Sequence, residues 1–163
     1  MLDQIKALIA RDLPDNPPEG FRALDAVGNF DLMLGRVYVR MDGDEMVMGF
    51  RVSPRHINAH NTCHGGMLAS FADMLAYASR VQGGLRDVSV PTVTLSLEYL
   101  IPVVLGQWVE ARAEVVKNGR SLMFSRVTGR ADGRLAFVAS SINVRGPKDE
   151  PGLAALNRAL GSP

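Results

Sequence analysis

The triplet His64-Gly65-Gly66, the carboxylate of Asp73 and the loop residues His56, Asn58, His60 and Cys63 are the groups of this chain whose types and spacing could do chemistry. Two glycines followed by about fifteen residues without Pro or Gly read as a tight entry into a helix. A helix N-terminus presents unpaired backbone N–H groups and the positive end of the helix dipole, and a residue without a side chain lets a carbonyl approach them closely. Gly65 or Gly66 is therefore a candidate oxyanion donor. The plain alternative is that glycine only relieves crowding at a helix entry.

In the helix that follows, Leu68, Phe71, Ala72, Leu75 and Ser79 recur at helical spacing, and Met67, Ser70, Met74 and Tyr77 fall on the opposite side. A helix apolar nearly all round is expected to be buried on more than one side. Asp73 is out of place there, because a buried carboxylate is costly unless it is paired or has a task. It either pairs with a buried Arg or caps a neighbouring segment, or it serves as a general base or a nucleophile. His56, His60 and His64 stand four apart, but Pro54, Asn58, Asn61 and Thr62 make their segment a loop and no second ligand cluster accompanies them, so no metal is expected. Cys63 and His64 are neighbours in an extended loop and point apart, so Cys63 reads as a small buried residue rather than a nucleophile.

The elements that must position these groups follow from periodicity. Leu2, Ile5, Leu8, Ile9 and Leu13 predict a short amphipathic helix before Pro14, Pro17 and Pro18 stop it. Residues 21–34 read as a short helix or a wrapped segment. From Gly35 the period is two: Val37, Val39 and Met41, then Asp42-Gly43-Asp44, then Met46, Met48 and Phe50 predict a β-hairpin. Gly83 and Gly84 close the long helix. Val93, Leu95, Leu97 and Tyr99 alternate with Thr92, Thr94, Ser96 and Glu98, and further strands over 108–117, 122–131 and 134–144 follow in meander order through the turns Asn118-Gly119 and Asp132-Gly133. A short helix is expected over 153–160. This order predicts an α+β fold, an antiparallel sheet of about five to six strands wrapped around one long central helix. Residues 1–34 form an N-terminal helical segment packed on the domain, 35–146 the domain itself and 147–163 a tail.

At 163 residues, 47% hydrophobic and a net charge of +1, the chain has the size of one domain with a real core. No strong basic patch or acidic tail supports nucleic-acid binding, and no apolar run approaches the roughly 20 residues that span a bilayer, so no membrane association is expected. The start Met1-Leu2-Asp3-Gln4-Ile5-Lys6 lacks the pattern of a secretory signal, and the single cysteine fits a reducing compartment. Both readings point to a cytoplasmic protein.

Asn58, His64-Gly65-Gly66 six residues on, and then Asp73 together resemble the signature of the hotdog-fold acyl-CoA thioesterases of the phenylacetate-pathway (PaaI-like) type. The resemblance runs from about Gly35 to Val144. It takes in Thr92 and the stretch Tyr99-Leu100-Ile101-Pro102, which is similar to the family's aromatic-x-x-Pro strand end. One departure is Asn61, where the family usually has Gly; Asn is the residue that best tolerates a left-handed backbone after Gly.

The resemblance implies an acyl-CoA thioesterase in which Asp73 activates water, Gly65 and Asn58 polarise the thioester carbonyl and Thr92 orients the water. Asn58 as a turn residue and Thr92 as a strand filler are the structural alternatives. His64, Gly66, Met67 and Tyr77 are expected to contact substrate, with an aromatic or medium acyl chain in an adaptable apolar pocket. Arginines toward strand ends and turns, Arg80 and Arg86 among them, are candidates for the CoA phosphates. No cofactor is needed, CoA entering as part of the substrate. Two other activities remain open on the same fold, an acyl-thioester hydratase or dehydratase using a histidine, and a non-catalytic acyl-CoA binder. Because Asp73 lies eight residues beyond Gly65 on one helix, about 12 Å at 1.5 Å per residue, one water cannot touch both in the same chain. A homodimer with shared sites, or a homotetramer built from it, is the expected assembly.

Overall fold

In the computed structural model, which describes residues 14–24, 28–148 and 157, the alternating stretches pair into one antiparallel sheet. Strands β1 (Arg22–Ala23), β2 (Tyr38–Asp42), β3 (Glu45–Arg51), β4 (Thr92–Tyr99), β5 (Trp108–Asn118), β6 (Leu122–Ala131) and β7 (Arg134–Val144) lie in the order β1-β2-β3-β5-β6-β7-β4. There are seven strands among the described residues, against the five to six expected. The extra one, β1, comes from the stretch read as a helix or wrapped segment, where Arg22 pairs with Val39 and Ala23 with Tyr38. Helix α1 (Asn29–Leu34) follows it. The helix expected over 2–13 lies outside the described residues, as does that over 153–160 apart from Asn157.

The turns have the chemistry their sequences demand. Gly43 takes φ 63° between β2 and β3, and Asp132 and Gly133 take φ 45° and 80° between β6 and β7, the two left-handed central residues of a type I′ hairpin. The sheet wraps around α2 (Gly65–Met74) and α3 (Ala76–Gln82), one long helix tightened only at Leu75, whose N–H reaches the Ala72 carbonyl three residues back. Phe71 and Leu75 are fully buried against Met48, Phe50 and Phe137 of the sheet. The Phe50 and Phe71 rings meet edge to face at 4.8 Å, the arrangement aromatic quadrupoles favour.

The expected meander breaks at one place. Strand β4 pairs with β7 and not with β5, while β5 pairs with β3. The connection 100–107 must therefore skip two strands, and it does so past the start of α2. There the Cys63 N–H donates to the Val103 carbonyl at 2.7 Å, and Thr62 bridges to Val104. This crossing brings the C-terminal end of β4 to the N-terminal end of the helix. Among the described residues no helix is long and apolar enough to cross a membrane.

Candidate active site

The first turn of α2 distributes its backbone donors unequally. His64 is the N-cap, and its Nδ1 accepts the Gly66 N–H at 2.9 Å. The His64 carbonyl accepts the N–H of Met67 at 2.9 Å and of Leu68 at 3.3 Å. The Gly65 N–H meets no acceptor among the described residues. It is the orphan donor of this terminus, at the positive end of the helix dipole. Tyr99 Oη donates to the Gly65 carbonyl at 2.8 Å. A Cβ at Gly65 would lie 3.0 Å from that hydroxyl, so the position admits glycine without displacing Tyr99. Gly65, Asn58, Thr62, Leu68 and Tyr99 line a cleft of about 360 Å³.

Asn58 organises the loop that forms the cleft wall. Its Oδ1 accepts the N–H of His60 at 2.8 Å and of Thr62 at 3.2 Å, and its Nδ2 donates to Thr62 Oγ1 at 3.0 Å. Those bonds occupy the amide oxygen and one of its two N–H hydrogens. Asn61 stands at φ 58°, the left-handed backbone for which Asn is suited. Cys63 is buried, and burial pushes its thiol up to about 12, so it holds no thiolate at neutral pH. His56 is also committed, with Nδ1 accepting the Ser53 N–H at 3.0 Å and Nε2 donating to the Leu34 carbonyl at 2.7 Å. His64, Gly66 and Met67 line a second hollow of about 340 Å³ with Phe30, Met33 and Ser70.

One face of the helix is open. Gly66, Ser70, Asp73 and Tyr77 form one stripe that is not buried, with Asp73 exposed and Tyr77 half-buried. Asp73 makes no hydrogen bond or ion pair within the described residues, so the burial expected for it is absent within this chain. Met67 and Met74, read above on the side opposite Leu68 and Phe71, are buried in the same core, because α2 sits deep in the concave sheet. Burial pushes the Tyr77 phenol up, with the carboxylates of Asp31 and Asp73 adding to the effect. Arg80 is not a rim cation: it is buried, its Nε donating to the Val88 carbonyl at 2.7 Å and Nη2 to Asn157 Oδ1 at 2.9 Å. Burial lowers its pKa, the nearby Arg86 reinforcing this.

Thr92 opens β4, and its Oγ1 accepts a hydrogen bond from Asn143 Nδ2 at 3.1 Å. Ala76 packs in a small core with Val88, Val90 and Met123, so the C-terminal half of the helix adjoins the start of β4, as its N-terminal end adjoins Tyr99. One cluster therefore gathers Gly65, Asn58 and Tyr99, and Thr92 belongs to the opposite end. The hydroxyl contact of Tyr99 had no sequence signal beyond the aromatic-x-x-Pro pattern, since it joins residues 34 apart.

Comparison with known proteins adds lineage to this geometry. A profile of the Thioesterase superfamily matches residues 60–137. Acyl-coenzyme A thioesterase 13 of Homo sapiens is 30% identical over 122 residues, covering 72% of this chain and 85% of that one. Acyl-coenzyme A thioesterase PaaI of Escherichia coli strain K12 is 34% identical over 88 residues, 53% of this chain and 60% of that one. Among solved structures, a mutant of the phenylacetic acid degradation protein PaaI from Thermus thermophilus superposes with a TM-score of 0.62 at 28% identity, over 72% of this chain and 99% of that one.

Proposed function

The chain belongs to the thioesterase superfamily, and on that premise we propose that it hydrolyses an acyl-CoA to the free acid and CoA by attack of an Asp73-activated water. The observation that carries the reading is the uncommitted Gly65 N–H at a helix N-terminus, in a residue that lines a cleft. Asp73 takes one proton from water as the oxygen attacks the thioester carbon. The carbonyl oxygen, now an oxyanion, is held by the Gly65 N–H and by the second N–H hydrogen of Asn58. Collapse of the tetrahedral intermediate breaks the C–S bond, and the CoA sulfur leaves with the proton that Asp73 took. His56 is occupied at both nitrogens and His64 Nδ1 caps the helix, which counts against His56 as the acid-base group of a hydratase.

The two halves of this machinery belong to different copies of the chain. Gly65 and Asp73 are separated by about 12 Å along a continuous helix, too far for one water. The stripe Gly66, Ser70, Asp73 and Tyr77 and the edge strand β4, with Val93 59% and Tyr99 52% exposed, offer a twofold axis the surface it needs. The hollow beside Met33 and Met67 suits an aromatic or medium acyl chain, and the unpaired Cys63 suits a reducing cytoplasm.

A panel of aromatic and medium-chain acyl-CoAs with free-thiol detection tests the reaction. Tight binding without turnover would make the protein a binder. Co-expressed Asp73→Ala and Asn58→Ala chains test the assembly. Shared sites restore about a quarter of wild-type activity, since random pairing makes half the dimers mixed and each mixed dimer has one intact site. A mixture as inactive as its parents, with mixed dimers demonstrated, would confine the site to one chain.

A further inference from the structure

Strict alternation along β4 puts Thr92 on the face of Thr94, Ser96 and Glu98, opposite Leu95 and Leu97. The structure reverses this. Thr92 pairs with Asn143, Leu95 with Ser141 and Leu97 with Ala139, and the register shifts between Thr92 and Thr94. Cross-strand partners share a face, so the β-bulge at Val93 turns Thr92 to the inner side, where it stands beside Asn143. A bulge re-aims one side chain without disturbing the rest of the ladder.

Asn143 is completely buried, and both N–H hydrogens of its amide are used. Nδ2 donates to the Val90 carbonyl at 3.1 Å and to Thr92 Oγ1 at 3.1 Å, while Oδ1 accepts from Ser141 Oγ at 2.9 Å. A backbone carbonyl can only accept, so the edge of the amide that faces Val90 must be its nitrogen. Thr92 Oγ1 is then the acceptor of the second bond, and its own hydrogen must go elsewhere. Thr92 is exposed and its hydroxyl has no acceptor among the described residues, so that hydrogen is available to a water.

We propose that Asn143, clamped by Ser141, is a positioning residue for hydrolysis: it fixes the Thr92 hydroxyl as a donor toward the attacking water. The inference rests on the reading that Thr92 orients that water. A water that accepts from Thr92 keeps a hydrogen for Asp73 and a second lone pair for the thioester carbon. A threonine that accepted from the water would take its second hydrogen and leave the direction of its lone pairs unfixed.

The test is a double-mutant cycle on kcat with hexanoyl-CoA, joined to thermal melting. Asn143→Asp, protonated in its buried site, keeps a donor for Val90 but presents a lone pair to Thr92 and draws the hydroxyl inward. Thr92→Val and Asn143→Asp should each lower kcat by about 10-fold with KM changed less than about 2-fold, and the double variant should be no worse than either by more than about 2-fold. Ser141→Ala loosens the clamp while leaving Asn143 in place. It should lower kcat by about 2- to 5-fold, again only when Thr92 is present, and it carries the cycle if Asn143→Asp does not fold. Losses that multiply in the double variants would make Asn143 purely structural and overturn the proposal while leaving Thr92 its role. Wild-type kcat in Thr92→Val would instead remove Thr92 from the mechanism, and the proposal with it.

Discussion

At the N-terminal end of α2, one chain supplies nearly everything: His64 caps the helix, Tyr99 seats the Gly65 carbonyl, Asn58 ties its own loop, and one N–H is left over. At the other end of the same helix Asp73 stands exposed with no partner in the described residues. The contrast teaches that a donor site can be finished by local folding, because loop, cap and strand end all lie against one helix terminus. A general base about 12 Å away along the axis cannot be completed that way. On the proposed reading, a second copy of the chain brings the donor end of its own helix to Asp73.

The sharpest way to break this contrast is at Asp73. Asp73→Ala and Asp73→Asn should lower kcat by about 100-fold or more, while the melting temperature barely moves, since an exposed substitution changes stability by about 0.5 kcal/mol or less. Near wild-type turnover at saturating substrate would disprove the base assignment.

Asn58→Ala should show the opposite balance. It should cost about 10- to 100-fold in kcat through the lost donor and also about 1–2 kcal/mol of stability from the freed loop N–H groups. A purely thermal effect, measured by comparing melting with kcat, would reduce Asn58 to a loop residue.

Smaller changes sharpen the picture of the finished end. Gly65→Ala pushes a methyl to 3.0 Å from Tyr99 Oη, and about a 10-fold loss in kcat is expected if the exposed N–H is displaced with it. Tyr99→Phe removes only the anchor of the Gly65 carbonyl, and about a 2- to 5-fold loss is expected. A larger loss in Tyr99→Phe than in Gly65→Ala would point to a direct substrate contact by the hydroxyl.

The smallest effect on activity belongs to Cys63, where Cys63→Ala should leave kcat within about 2-fold. The thiol matters instead to stability at high pH. Its ordinary value of 9.0 rises to about 12 in the folded state, so the neutral form is favoured by folding. The stabilisation is complete below pH 9 and is lost as pH climbs toward 12, because the unfolded chain ionises first. Urea melts of wild type and Cys63→Ala should therefore converge across that window, and the thiol should resist aromatic disulfide reagents at about pH 8.

Much of the molecule was legible in the sequence because local patterns have local causes. The period of two named β2, β3 and β4, the turns Asn118-Gly119 and Asp132-Gly133 bounded β5 to β7, and Gly65-Gly66 marked a helix start. Asn61 adopted the left-handed backbone its amide tolerates. What the tertiary structure alone decided was adjacency. Ladder hydrogen bonds are made by backbone and carry no residue code, so nothing in β4 announced that it would pair with β7 at the edge rather than continue the meander. The bulge that turns Thr92 inward inserts an ordinary valine with no compositional mark. Burial was undetermined in the same way: periodicity named the apolar faces of the helix, but the depth of the sheet's concavity took Met67, Met74 and Arg80 inside and left Asp73 out. A side chain's pattern records which neighbours it tolerates, and only packing between distant segments selects the ones it gets.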